Sequence, residues 1–172
     1  MMKLLLKEIR MKIYRTELDI GLNEKTFMVD PQTIELDNRF SKAECILSSD
    51  KISSGYKVYG SINSTTSLKC DRCLIIFENE FQSKISVILT NDKELIKEST
   101  SDVVSFLHSD EFTDLSNILR ESILIEQPFK KLCKNECKGL CVVCGIDLNN
   151  KICSCKKPHS VSGLSDLEDL IN

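Results

Sequence analysis

Histidine is scarce in this 172-residue chain: His108 and His159 are its only two, far apart and each isolated. A zinc hydrolase needs an open coordination position and a general base beside it, so enzymatic activity is not expected. Long apolar runs are also missing. Leu4-Leu5-Leu6 is bounded by Lys3 and by Lys7-Glu8, too short for a membrane span or a signal peptide. We therefore expect a cytoplasmic protein with no membrane partner and no small-molecule substrate. Thiols stay reduced in that compartment. Met11-Lys12-Ile13 resembles a natural beginning as well, so residues 1–10 read as an upstream extension or an alternative start. An even cysteine count is absent too, since there are nine, and an odd number without a secretory segment argues against a disulfide framework.

What is present is dense. Between Cys133 and Cys155 lie six cysteines in twenty-three residues, and a further pair, Cys70-Asp71-Arg72-Cys73, stands sixty residues upstream. Zn²⁺ takes four ligands in a tetrahedron, and two residues between cysteines let one tight turn bring both thiolates to one ion. Cys141-Val142-Val143-Cys144-Gly145 has that form, with Gly145 free to take positive φ behind the second sulfur. Cys153 and Cys155, two apart, share one face of an extended segment. We assign Cys141, Cys144, Cys153 and Cys155 to one zinc. Cys133 and Cys137, spaced like neighbours on a helical turn, then join Cys70 and Cys73 at a second. Cys137 and Cys141 could exchange sites. Iron suits four thiolates as zinc does. A redox C-x-x-C fits poorly, because it opens a helix after a strand, whereas Cys70 lies between two period-two stretches. Cys45, without a partner, reads as a small buried apolar residue.

Charge is uneven. From Phe129 to His159 there are seven lysines against Glu136 and Asp147, in a chain whose formal net charge is −3. Lys130, Lys131, Lys134, Lys138, Lys151, Lys156 and Lys157 are candidates for contacts to nucleic-acid phosphates. Eight thiolates and two divalent ions would cancel most of that local excess, so solubility accounts for the lysines as well as phosphate contact does.

Along the chain, 11–36 shows short strand-like runs with a turn or helix start at Asp30-Pro31. Ala43–Ile52 reads as a strand and Ser53-Ser54-Gly55 as a turn. Tyr56, Val58, Gly60, Ile62, Ser64, Thr66 and Leu68 fall on one face of a long second strand. Phe77, Phe81, Ile85, Val87 and Leu89 continue on a returning one, giving antiparallel sheet with one face toward a core. Residues 91–102 read as a loop or frayed helix, and 103–107 as a last strand. A helix should run from Asp110 to Gln127, its acids at the N-terminus and its apolar stripe on the sheet, ended by Pro128. Ser165-x-x-Glu168 could cap a short terminal helix.

Asp114-Leu115-Ser116, Arg120-Glu121, Pro128-Phe129-Lys130 and Leu132-Cys133 stand among these features. With Cys70-Asp71-Arg72-Cys73-Leu74, Cys137-Lys138-Gly139-Leu140-Cys141, Cys144-Gly145, Leu148-Asn149 and Cys153-Ser154-Cys155, they resemble the YceD family. That resemblance covers Leu68 to Cys155 well and the first third only in strand pattern. It implies a role in accumulation of large-subunit ribosomal RNA, with precursor or mature 23S rRNA, or a large-subunit assembly factor, as partner. Some family members lose most of the later cysteines, which implies that the later cluster is dispensable for the shared function. Two features depart from the family: Val142 where proline is usual, and Ser160-Val161-Ser162-Gly163 where an Asp-Pro-Arg motif is usual.

The expectation is a non-catalytic α+β protein. Residues 1–128 would form an antiparallel sheet with one packed amphipathic helix. Residues 129–159 would form a two-zinc lobe docked on the sheet end, and 160–172 a short helix or tail. The rival expectation is a protein-binding module docking on a ribosomal protein or assembly factor without touching RNA.

Overall fold

A computed structural model describes residues 11–98 and 102–155. The expected terminal helix after Ser165, the reading of residues 1–10, and His159, Lys156 and Lys157 lie outside the described residues. The chain divides into two compact units. One holds the residues up to Leu68 together with Phe77–Phe129, and the other Lys69–Ile76 together with the chain from Lys130.

The first unit is built on a five-stranded sheet in the order β2-β3-β4-β5-β6. Its strands are β2 (Lys25–Val29), β3 (Phe40–Ile52), β4 (Gly55–Lys69), β5 (Ile76–Thr90) and β6 (Val103–Ser105). β2 and β4 both pair antiparallel with β3, Cys45 standing opposite Phe27 on one side and Ile62 on the other. The Thr90 hydroxyl donates to the Ser54 carbonyl and the Gln82 amide to Asn63, so rising numbers in β4 meet falling numbers in β5. Period-two alternation reaches the burial pattern directly. Tyr56, Val58, Ile62, Ser64, Thr66 and Leu68 are buried, as are Ile85, Val87 and Leu89 on β5. Cys45 is fully buried on β3, and desolvation pushes its thiol up to about 12.

Three expectations need correction. The sheet is mixed: β6 runs parallel to β5, Ile88 opposite Val103. A parallel neighbour needs a crossover connection, which is why residues 91–102 contain a helix, α2 (Lys93–Glu98). The helix expected from Asp110 starts later. Phe112–Asp114 is a strand, β7, pairing with β1 (Lys12–Tyr14) across a hundred residues of chain, and α3 occupies only Ser116–Ile125. The run 11–36 also contains a helix, α1 (Arg15–Ile20), which buries Leu18.

Leu115, Leu119 and Ile123 belong to the same buried apolar cluster as Ile13, Leu47, Val58, Ile62 and Val87. Four-residue spacing is what places them on one helix face. The entry to α3 is tied to the start of β1: Met11 N–H donates to the Ser116 hydroxyl at 2.9 Å, and Leu115 N–H to the Met11 carbonyl at 2.8 Å. Leu119→Ala should therefore lower stability by about 2–5 kcal/mol, the cost of a core cavity. Urea denaturation of the full chain reads it, and an unchanged midpoint would mean that the α3 stripe is not core.

Candidate metal centres

Two knuckles of identical backbone bonding carry the C-x-x-C pairs of the second unit. In the segment between β4 and β5, Leu74 N–H donates to the Cys70 carbonyl at 3.0 Å, and Cys70 N–H to the Ile75 carbonyl at 2.8 Å. Seventy-one residues on, Gly145 N–H donates to the Cys141 carbonyl and Cys141 N–H to the Ile146 carbonyl, both at 2.8 Å. The turn demands a left-handed residue after the second cysteine. Gly145 supplies φ +71° without strain, whereas Leu74 holds φ +62° at a cost of about 1–2 kcal/mol for a residue with a side chain.

The middle residues of the first knuckle lace in the segment that brings Cys133 and Cys137. Asp71 N–H donates to the Lys131 carbonyl, and Lys131 N–H returns to the Asp71 carboxylate, both at 2.8 Å. The Arg72 guanidinium donates to the Cys137 carbonyl at 2.7 Å, and Leu140 N–H to the Arg72 carbonyl at 3.1 Å. Gly139, at φ +75°, passes so close that a Cβ there would lie 3.0 Å from the Arg72 carbonyl oxygen. Cys133 and Cys137 are not on an α-helical turn as expected. Cys137 N–H reaches back to the Lys134 carbonyl at 3.1 Å in a tighter turn, because the lacing to Asp71 and Arg72 fixes both ends of the segment.

The Sγ atoms of Cys70, Cys73, Cys133 and Cys137 lie within 4.8 Å of one another, as do those of Cys141, Cys144, Cys153 and Cys155. Neighbouring sulfurs stand 3.8 Å apart for Cys70 and Cys137 and 3.6 Å for Cys73 and Cys133. In the second tetrad the separations are 3.5 Å for Cys144 and Cys153 and 3.3 Å for Cys153 and Cys141. A tetrahedron with metal–sulfur bonds of ~2.3 Å spaces its sulfurs by ~3.8 Å. Both tetrads could hold metal ions.

They differ in cover. Cys70, Cys73 and Cys137 are buried, whereas Cys144 is exposed and the other three of its set half-buried. In the second set, N–H groups of Cys144 and Val143 pull the Cys141 thiol down to about 6, while close sulfurs, Cys153 first, push Cys155 up to about 12. In the first set, burial pushes Cys133 up to about 12. Burial opposes ionisation of Cys70 as well, but N–H groups of Cys73, Cys133 and Arg72 prevail and bring it to about 6. Four sulfurs at van der Waals separation cannot all ionise alone, and a divalent cation removes that conflict.

Asp147 and Asn149, between the two cysteine pairs of the second set, were not singled out by spacing. The sequence hint was Leu148-Asn149 among the residues of the family resemblance, which gave Asn149 no role. Asn149 N–H and its side-chain amide both donate to Asp147 Oδ1, at 2.9 and 2.7 Å. The amide also donates to Cys137 Sγ, in the other tetrad, at 3.4 Å.

Of the candidate phosphate contacts, Lys130, Lys134, Lys138 and Lys151 are exposed and Lys131 is half-buried. Leu74, Ile75 and Ile76 are exposed on the first knuckle, and Val142, Val143 and Ile152 around the second tetrad. His108 stands on the surface of the first unit, its Nε2 3.0 Å from the Asn91 amide.

Fold and site together define an α+β protein with two four-cysteine clusters able to hold metal. The chain belongs to the YceD family: the family model described as "Large ribosomal RNA subunit accumulation protein YceD" matches residues 58–171, a stretch that contains all eight clustered cysteines. It is 40% identical over 68 residues to the maize "Large ribosomal RNA subunit accumulation protein YCED homolog 1, chloroplastic", covering 39% of this chain and 23% of that protein. The Arabidopsis thaliana protein of the same name is 32% identical over 57 residues, 33% of this chain and 18% of that one. An uncharacterized protein of Mycobacterium tuberculosis is 28% identical over 99 residues, 58% of this chain and 48% of that one. The chain thus matches less than half the length of each of these relatives. No solved structure matches it. Among the described residues no helix is long and apolar enough to cross a membrane.

Proposed function

We propose that this protein is a non-catalytic, cytoplasmic factor in the accumulation of 23S rRNA and assembly of the large ribosomal subunit, its second unit built around two structural zinc ions. The observation that carries the reading is the family match over residues 58–171. The names of the maize and Arabidopsis relatives, as large ribosomal RNA subunit accumulation proteins, support it. Cys70, Cys73, Cys133 and Cys137 would hold one zinc, and Cys141, Cys144, Cys153 and Cys155 the other. With four sulfurs at each ion no coordination position is left for substrate, and structural sites of this kind contribute folding free energy. Depletion of the gene is the direct test: 23S rRNA and large subunits should fall relative to 16S rRNA and small subunits. An unchanged ratio would overturn the proposal.

The partner is read as RNA, precursor or mature 23S, held through phosphates by Lys130, Lys131, Lys134, Lys138 and Lys151, with Lys156 and Lys157 beyond the described residues. Affinity should then fall with salt, with a log-log slope of about −0.7 to −0.9 per contact. Replacing Lys130, Lys131 and Lys134 together should lower that slope by about two to three units for any RNA sequence, since phosphate contacts position without reading bases. Exposed Val142, Val143 and Ile152 favour a second reading, docking on a ribosomal protein or assembly factor. No salt-dependent binding to precursor rRNA, together with nuclease-resistant co-purification of a ribosomal protein, would put that reading first.

A further inference from the structure

Asn149 belongs by chain to one tetrad and by hydrogen bonding to the other. It lies in the loop between Cys144 and Cys153, both of the second tetrad, yet its amide N–H reaches Cys137 Sγ of the first at 3.4 Å. The amide's orientation is fixed, because Lys138 N–H donates to Asn149 Oδ1 at 2.9 Å, which leaves the two N–H bonds for Asp147 Oδ1 and the sulfur. Each polar atom of the amide is thereby used. The loop is registered against the approach to Cys137 by a further bond, Leu148 N–H to the Gly139 carbonyl at 2.9 Å, and by the Leu140–Asp147 bridge.

We propose that the two tetrads bind metal cooperatively and that Asn149 is the positioning residue that couples them. The proposal rests on the metal-binding reading above. An ion held by Cys144 and Cys153 closes the loop between them and keeps the Asn149 amide on Cys137. An N–H donor on a ligating thiolate spreads its negative charge and steadies its direction toward the ion, the role of hydrogen bonds around metal ligands generally. Empty the second tetrad, and the loop that presents Asn149 is released. Linkage makes the effect reciprocal, so an ion at the first tetrad strengthens the second by the same factor. Exposed Cys144 makes the second tetrad the one that exchanges with the medium, and through Asn149 its occupancy governs the buried one.

The test is Co²⁺ titration of the full reduced chain, followed by thiolate-to-metal absorption, with Zn²⁺ competition to set affinities. Asn149→Asp, made in an Asp147→Asn background so that two carboxylates do not face each other at 2.7 Å, keeps the acceptor for Lys138 N–H and removes the donor to sulfur. It should still bind two ions but hold the first-tetrad ion about 10–100-fold more weakly, the usual effect of removing such a partner. Cys144→Ser/Cys153→Ser, which leaves only the first tetrad intact, should show a loss of the same size. Adding Asn149→Asp to it should change nothing further, because the coupling is already gone. Asn149→Asp at wild-type affinity with Asn149→Ala weakened would show that the residue only accepts from Lys138, and the proposal fails. Additive losses in the combined variant would overturn it equally. Absence of thiolate bands in every variant, wild type included, would instead remove the metal reading on which it stands.

Discussion

Cys70→Ser is expected to remove one of two metal ions per chain and to open the segment around Lys130–Lys134 to protease. Three cysteines remain at that tetrad, but serine is a poor replacement for a thiolate ligand, and the binding free energy of a structural zinc, about 10–16 kcal/mol in small zinc modules, is folding free energy there. What stays behind is a short lace: the reciprocal Asp71–Lys131 pair and the Arg72 bonds to Cys137 and Leu140. Each such bond contributes about 0.5–1.5 kcal/mol net, too little to hold an irregular segment in place of the ion. The core of the first unit contains none of the eight clustered cysteines, so its unfolding transition should persist. Limited proteolysis with metal analysis reads both effects. Loss of the metal with unchanged cleavage would show that the hydrogen bonds, not the ion, hold the segment.

Cys144→Ser should remove the other ion and release the loop that follows Gly145. Its residues are exposed or half-buried, and what then holds it is hydrogen bonding alone: Asp147 with Asn149 and Asn150 inside the loop, and Lys138, Gly139 and Cys137 at its edge, each bond contributing about 0.5–1.5 kcal/mol net. The same tetrad should be the first to yield to acid, because its sulfurs are the less covered. Without metal the fold holds Cys141 at about 6, and Cys70 of the buried tetrad at about 6 as well, against about 8.5 for a free thiol. Each contributes to folding of the metal-free chain fully above the unfolded value, and that contribution is lost as the pH falls through 6. Metal leaves as protons compete for the thiolates, and release to a chelator should be faster from the exposed tetrad than from the buried one. Equal release from both at every pH would contradict the difference in cover.

The long strands were legible because each has one dry face: Tyr56, Val58, Ile62 and Leu68 alternate with polar residues, and nothing else accounts for that alternation. The cysteine pairs were legible for a related reason, since spacing within a pair is a local property and the two knuckles are local turns, whereas the joining of Cys70 and Cys73 to Cys133 and Cys137 rested on the count of ligands alone. What escaped depends on pairings that no window contains. Phe112–Asp114 sits in front of a convincing helix, behind acids that suit a helix start, yet its backbone is taken by Lys12–Tyr14 from the other end of the chain. α1 is six residues long and buries only Leu18, and a helix so short owes its existence to its neighbours. The parallel seat of β6 could not be read from Val103–Ser105, because three residues carry no direction. Asn149 stood in the family resemblance, but its role could not be read for the same reason: its amide is ordinary turn chemistry until Cys137, twelve residues back, is brought against it.

Metal content of the full reduced chain, purified without chelator or oxidant, tests the central claim most directly. Elemental analysis should give two zinc atoms per chain and a solution without colour, because d¹⁰ zinc has no redox chemistry and no visible absorption in a four-sulfur site. One metal or none per chain, or two irons with visible thiolate-to-iron absorption, would contradict it.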